Sequence, residues 1–340
     1  MSLHKVLKYL IALALITFIA FALFWGTDFL TRLFIPAPKP SYGVTFSVSY
    51  TKYLGLDLQT TYQAILDDLG SRKVRMPVYW DTIEKEDGKF DFSEYDNLLK
   101  TSKERGAQVI LAIGYKVPRW PECSTPPWAN SLDNNLLQQK VLRMVKETVT
   151  HYKNDPEIVA WQVENEPLLD FGICRMLGEP FLKEEVGSVR SLDSRPIILT
   201  DSGELGTWVT ALQNSNIMGT SLYRIVWNPF FGYFRYPFPP LYYDLKAQLT
   251  RLIFAGSSRG VFVSELQAEP WTPGKSVLDM PIPEQMKLFT LDNFKEVVDF
   301  TKWTRLSDQY FWGVEWWYYM KLHGHPEYWE YAKGLFKPQF

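Results

Sequence analysis

Histidine and cysteine are nearly absent from this chain, with 4 His and 2 Cys in 340 residues. Two cysteines cannot build a disulfide scaffold or a cysteine-rich zinc module. Four histidines leave little for a histidine-built metal centre, and no H-E-x-x-H occurs. A phosphate loop is missing too, so neither a metal nor a cofactor is expected. Charge of one sign is also lacking. Lys plus Arg is 36 against 38 Asp plus Glu, a formal charge of −2. That leaves no electrostatic footprint for nucleic acid. Low-complexity tracts and charge blocks are absent, and an apolar fraction of 46% excludes wholesale disorder.

What the chain does have is aromatic side chains, at 16% of residues, including 13 Trp. It also has an uncharged run from Tyr9 to Thr27 behind Lys5 and Lys8. At about 1.5 Å per residue these 19 residues would span roughly 28 Å, close to the thickness of a bilayer's hydrocarbon core. The positive flank predicts residues 1–8 in the cytoplasm and the rest exported. A cleaved signal peptide is the alternative, since Ala20-Phe21-Ala22 has the small-x-small form of a cleavage site. Residues 28–40, rich in Pro toward their end, read as a short stiff linker.

Residues 41–340 alternate short β-branched runs with amphipathic helical stretches, the mark of an α/β fold with parallel strands. Eight strands are predicted, at Gly43–Val48, Lys73–Val78, Gln108–Ile113, Ile158–Val163, Ile197–Asp201, Asn216–Tyr223, Gly260–Glu265 and Tyr310–Trp316. Helices are expected over Thr61–Leu69, from Ser93 to before Gly106, and over Leu132–Tyr152. Eight β/α units in about 300 residues suit a (β/α)8 TIM barrel, preceded by an N-terminal transmembrane helix. A doubly wound open sheet would normally carry G-x-G-x-x-G after its first strand, and none follows Val48.

In a barrel, chemistry belongs at the C-terminal ends of the strands. Strand four ends Val163-Glu164-Asn165-Glu166-Pro167, and strand seven ends Val263-Ser264-Glu265. Two carboxylates on well-separated strands can face each other across the barrel mouth. Glycoside hydrolysis needs such a pair, one to protonate the leaving oxygen and one to attack the anomeric carbon.

Asn165-Glu166-Pro167 at the end of strand four resembles the signature of the clan A glycoside hydrolases, the superfamily of cellulases, mannanases and β-galactosidases. The resemblance covers about residues 43–335. It implies Glu166 as acid/base and Glu265 as nucleophile, in a retaining enzyme cleaving β-glycosidic bonds of an oligo- or polysaccharide. It also implies Arg75 near the nucleophile, Tyr223 hydrogen-bonded to it, and Trp316 or Trp317 under the sugar. Asn165 would hold the sugar's 2-hydroxyl. The stretch Tyr79–Glu84 followed by Gly88–Phe92 resembles the strand-two exit of β-galactosidase-like and xylanase-like members. The chain departs where many family 5 cellulases carry His, having Gly114-Tyr115-Lys116 after strand three and Asp201-Ser202-Gly203 after strand five.

Glu164 alternates with Glu166 and is expected at most to support it. Glu269 rivals Glu265 but follows the β-branched run, so it is expected to touch substrate rather than attack it. An Arg beside Glu265 would stabilise its negative charge, and a dry cleft near that charge would keep Glu166 protonated. Trp80, Trp120, Trp128, Trp208, Trp227, Trp271, Trp316 and Trp317 all follow or end strands. Trp80, Trp120 and Trp271 are therefore taken with Trp316 and Trp317 as sugar-stacking candidates, because aromatic faces stack on the C–H faces of sugars. The aromatic segment 227–243 could wall a sugar cleft or meet lipid or a partner. Cys123 and Cys174 fall in the loops after strands three and four, where they could pair or stay free. The expected partners are a carbohydrate and a membrane, with no nucleic acid, and the chain is expected to be a monomer. A barrel that binds sugar without cleaving it, or a tethered scaffold, would share much of this composition; retention of both Glu166 and Glu265 argues against a mere binder.

Overall fold

The computed structural model describes residues 3–255, 260–272 and 276–337. The barrel strands are β1 (Ser41–Thr45), β2 (Lys73–Pro77), β3 (Gln108–Ile113), β4 (Ile158–Val163), β5 (Ile197–Asp201) and β6 (Ile217–Leu222). After them come an excursion of two short strands, β7 (Ile225–Asn228) and β8 (Gly232–Arg235), then β9 (Gly260–Gln267) and β10 (Asp308–Trp312). The barrel is closed in the order β1-β10-β9-β6-β5-β4-β3-β2, with every neighbouring pair parallel. The expected (β/α)8 architecture is therefore present. β7 and β8 pair antiparallel outside it.

Local chemistry sets the helices between strands. Asp133 accepts from the Leu136 amide at 2.9 Å and starts the helix Asn134–Tyr152. The helix Ser93–Glu104 has Phe92 at its N-cap, and Asp91 just before it accepts the Ser93 amide at 3.0 Å. The first helix begins earlier than Thr61, at Leu58, and closes with a π turn over Ile65–Leu69 before Gly70. Gly70 has φ +85°, a left-handed conformation that glycine adopts without strain.

Two buried layers result. The larger fills the space between barrel and helices. The smaller is Ile110, Ala160, Ile198, Phe262 and Tyr310. Each of the first four has a same-face neighbour two residues on: Ala112, Gln162, Thr200 and Ser264. The barrel interior thus changes from apolar to largely polar toward the C-terminal ends of the strands.

β10 ends earlier than expected. Gly313 takes φ +119° and starts a helix, Val314–Leu322. Trp316 and Trp317 therefore lie on that helix, fully buried, not at a strand end. At the N-terminus a helix runs from Leu3 to Phe34, continuing into the stretch read as linker. The span expected over 9–27 falls within it, and most side chains of residues 7–20 lie outside the described residues. Among the described residues no helix is long and apolar enough to cross a membrane. Asp28, 3% exposed, accepts the Leu241 amide at 3.0 Å and fastens this helix to the start of the helix Pro240–Thr250.

Candidate active site

Arg75 of β2 is fully buried and spends its guanidinium on three side chains at the ends of β4 and β9. Its Nε donates to Gln162 Oε1 at 2.6 Å, its Nη2 to Asn165 Oδ1 at 2.8 Å, and its Nη1 to Glu265 Oε1 at 2.9 Å. The Tyr223 hydroxyl, just past β6, donates to Glu265 Oε2 at 3.0 Å. Both oxygens of Glu265 are thus held by donors from separate strand ends, which fixes the carboxylate's orientation.

A bulge aims Glu265 into this site. Thr220 pairs with Val263, but the next residue, Ser221, pairs with Glu265, and the register to β10 slips in the same region. The extra residue moves Glu265 onto the face that Phe262 and Ser264 occupy. Strict alternation would have turned it outward.

Glu166 is 7% exposed, with a left-handed backbone at φ +45°. Its amide donates to Thr200 Oγ1 at 2.9 Å, and its Oε1 has no hydrogen-bond partner among the described residues. Burial pushes its carboxyl well above the usual range, and the negative charges of Glu265 and Glu122 push further in the same direction. Asn165 is buried, with its side-chain oxygen accepting from Arg75 and, at 3.2 Å, from Thr200 Oγ1. Glu164 supports the turn, as expected. It accepts the amides of Tyr115 at 2.5 Å and Lys116 at 2.8 Å. A Cβ on Gly114 would lie 2.5 Å from Glu164 Oε1, so this approach requires glycine.

Several expected contacts are reassigned. Glu269 does not project freely toward a ligand; it is 7% exposed and paired with Arg119. Arg119 also reaches Glu315 Oε2 at 3.3 Å, and its guanidinium lies between the rings of Tyr50 and Trp312, 3.6 and 4.2 Å from their centroids. Trp80 is core, its indole N–H donating to Glu84 Oε2 at 2.7 Å. Trp316 and Trp317 are core as well, donating to Gln285 Oε1 at 2.8 Å and to the Ala268 carbonyl at 2.7 Å. The aromatic residue that does end the last strand is Trp312. Trp120 is 64% exposed and meets Phe171, which meets Trp271, which meets Tyr223 edge-on at 5.4 Å. This ribbon leads from solvent to the Glu265 partner. The hairpin β7–β8 projects Phe230 and Phe231 into solvent at its tip.

Lys116, Arg119, Glu122, Gln162, Glu315 and Trp312 join the site without having been singled out in the sequence. All but Arg119 and Glu122 lie in or within three residues of a strand's C-terminal end, so a wider strand-end filter would have caught them. Cys123 and Cys174 form a disulfide joining the loops after β3 and β4. Among the described residues no group of His, Cys, Asp and Glu could hold a metal ion.

The glycosyl hydrolase family 10 profile matches residues 55–188. Endo-1,4-beta-xylanase A of Phanerodontia chrysosporium is 28% identical over 145 residues, which cover 39% of this chain and 34% of that enzyme. Endo-1,4-beta-xylanase C of the same organism is 29% identical, over 39% of this chain and 35% of that enzyme. The chain thus matches about a third of the length of these relatives. A GH5_18 structure from Bifidobacterium longum subsp. longum superposes with TM-score 0.58 at 13% identity, covering 81% of this chain and 70% of that one. An exo-beta-1,4-mannosidase from Opitutaceae bacterium strain TAV5 gives 0.53 at 15% identity, covering 88% and 59%. With its closed barrel, its glutamates at the C-terminal ends of the fourth and seventh barrel strands, and its family 10 match over residues 55–188, the chain is similar to the clan A glycoside hydrolases.

Proposed function

We propose that the chain is a retaining glycoside hydrolase that cleaves β-glycosidic bonds by double displacement. One observation carries this reading: Glu265, gripped on both oxygens by Arg75 and Tyr223, shares a buried mouth with a Glu166 whose carboxyl favours the protonated form. Two carboxyls in different protonation states are what the first step needs.

In this mechanism Glu265 attacks the anomeric carbon while the Glu166 proton passes to the departing oxygen. A glycosyl ester forms and the negative charge of Glu265 is gone. Glu166, now relieved of that charge and deprotonated, takes a proton from water, and the water opens the ester with net retention. Asn165 is held by Arg75 and Thr200 through its oxygen, which leaves its amide nitrogen for a sugar hydroxyl. Trp312, which ends the last barrel strand, would offer an aromatic face to the sugar, and the Trp271–Trp120 ribbon would carry the leaving group or further sugar units. The endo-1,4-beta-xylanase relatives support a β-linked polysaccharide or its fragments as substrate.

The uncharged run 9–27 supports a further part of this reading, a tether that keeps the barrel outside the cytoplasm. Alkaline carbonate extraction of membranes would leave a tethered chain in the pellet.

Incubation with an activated 2-fluoro β-glycoside tests the chemistry. The expected result is a covalent adduct mapped to Glu265, absent in Glu265→Gln. Turnover of aryl β-glycosides that survives in both Glu166→Ala and Glu265→Ala would overturn the proposal.

A further inference from the structure

The segment 116–123 leaves β3 as a strap across the mouth, and its conformation is costly. Arg119 and Glu122 both have left-handed backbones, at φ +94° and +70°. Such strain in non-glycine residues persists only where the surroundings impose it. Here they do. The Glu122 amide donates to the Arg119 carbonyl at 2.6 Å, and the Val117 amide to the Glu122 carbonyl at 2.9 Å. The Ile173 amide donates to the Pro121 carbonyl at 3.0 Å, and Cys123 is joined to Cys174. The effect is to bury an acidic side chain, Glu122, at 7% exposure.

One cation links that side chain to Glu166. Lys116 Nζ lies 3.3 Å from Glu122 Oε2 and donates to the Glu166 carbonyl at 3.1 Å, so one ammonium touches both residues. Glu122 Oε2 thus has the Lys116 ammonium as its partner, whereas Glu166 Oε1 is buried without a hydrogen-bond partner among the described residues. The charged groups around Glu122 are Lys116, Arg75, Glu265 and Glu166.

Resting on the retaining-glycosidase reading, we propose that Glu122 is a third carboxyl of the catalytic centre, a positioning residue that holds Glu166 in its protonated form. A negative charge on Glu122 opposes a second negative charge on Glu166. Burial pushes the Glu122 carboxyl up to about 7, with Lys116 opposing and Glu265 adding to the rise. Glu122 therefore acquires its charge as the solution becomes alkaline, where the acid is most at risk of losing its proton. The strap extends the pH range over which Glu166 can act as an acid.

Two readouts test this. In protein labelled with 13C at Glu Cδ, the Glu166 resonance is assigned by its loss in Glu166→Gln and followed with pH. In Glu122→Gln its midpoint is expected to fall by at least about half a unit, a threefold change in proton concentration. The alkaline limb of kcat/KM on an aryl β-glycoside is expected to move with it. Glu122→Asp, which keeps the charge, is expected to stay near the wild type. If Glu122→Gln does not fold, Cys123→Ser/Cys174→Ser frees the strap with every charge retained and is expected to move the same limb the same way. An unmoved midpoint and limb, even with a uniform loss of rate, overturns the role of Glu122. Glu265→Ala measured alongside separates the two readings. Turnover abolished there with an unmoved limb in Glu122→Gln overturns Glu122 alone, whereas turnover retained there overturns the retaining mechanism and the Glu122 role together.

Discussion

Arg75 Nη1 donates to Glu265 Oε1 at 2.9 Å from a guanidinium with no solvent exposure. The same guanidinium holds Gln162 and Asn165, so one side chain sets the positions of β2, β4 and β9 at the barrel mouth. A lysine is a point charge and cannot reproduce this fork. Arg75→Lys is expected to fold but to lose most of its kcat/KM. Arg75→Met, which leaves Glu265 buried beside no cation, is expected to cost about 3–5 kcal/mol of stability. Denaturant unfolding and aryl-glycoside kinetics check both. Near-wild-type kinetics in Arg75→Lys would refute the positioning role.

The Tyr223 hydroxyl is the second donor to Glu265, and its removal leaves the ring in place. A hydrogen bond to a charged group contributes about 1.5–3 kcal/mol. Tyr223→Phe should therefore lower kcat/KM by roughly 10- to 150-fold. A change within twofold would mean that the bond does not matter to the reaction.

Trp312 and Trp316 should separate by assay. Trp316 is fully buried with its N–H on Gln285, so Trp316→Ala should cost about 3–5 kcal/mol of stability through the cavity it leaves. Trp312 lies outside the main buried cluster, at the strand end beside Arg119. Trp312→Ala should raise KM or lower kcat with a smaller loss of stability. Thermal melts and kinetics of both variants decide it, and the reverse order would contradict the assignment.

Buried carboxyls other than Glu166 and Glu265 predict a pH dependence of folding. Burial pushes Glu204 up to about 7, as it does Glu315. A carboxyl raised in the fold keeps a proton that the unfolded chain has released, so stability falls as pH rises from about 4.5 to 7 and levels off above. Asp68 acts in the opposite sense. Lys321 and Lys333 hold it well below the usual range, so its contribution is lost only in more acidic solution. Glu204→Gln stays neutral at every pH and keeps a partner for the Tyr243 hydroxyl. Its urea midpoint should fall less than that of the wild type between pH 4.5 and 8. Parallel curves for the two proteins would refute the contribution of Glu204.

The alternation of β-branched runs and amphipathic stretches was enough to determine a barrel, because side-chain period and strand length are local properties of the chain. The filter of strand ends pointed to the glutamates of strands four and seven, because a barrel brings its C-terminal ends to one face, and the clan A resemblance added Arg75 and Tyr223. Tertiary structure decided the rest. Hydropathy does not distinguish a Trp continuing β10 from one on the helix after Gly313, since both are buried; a left-handed glycine made the difference. Alternation would have turned Glu265 outward from the face of Ser264, and a bulge between neighbouring strands aims it inward. Glu122 and Arg119 lie in a loop beyond the reach of the strand-end filter, and the fold buries them there, Glu122 beside Lys116 and Arg119 against Glu269 and Glu315. Local sequence carries periodicity and chain direction. The register between strands and the environment of a charge depend on residues far apart in sequence, so only the closed barrel fixes them.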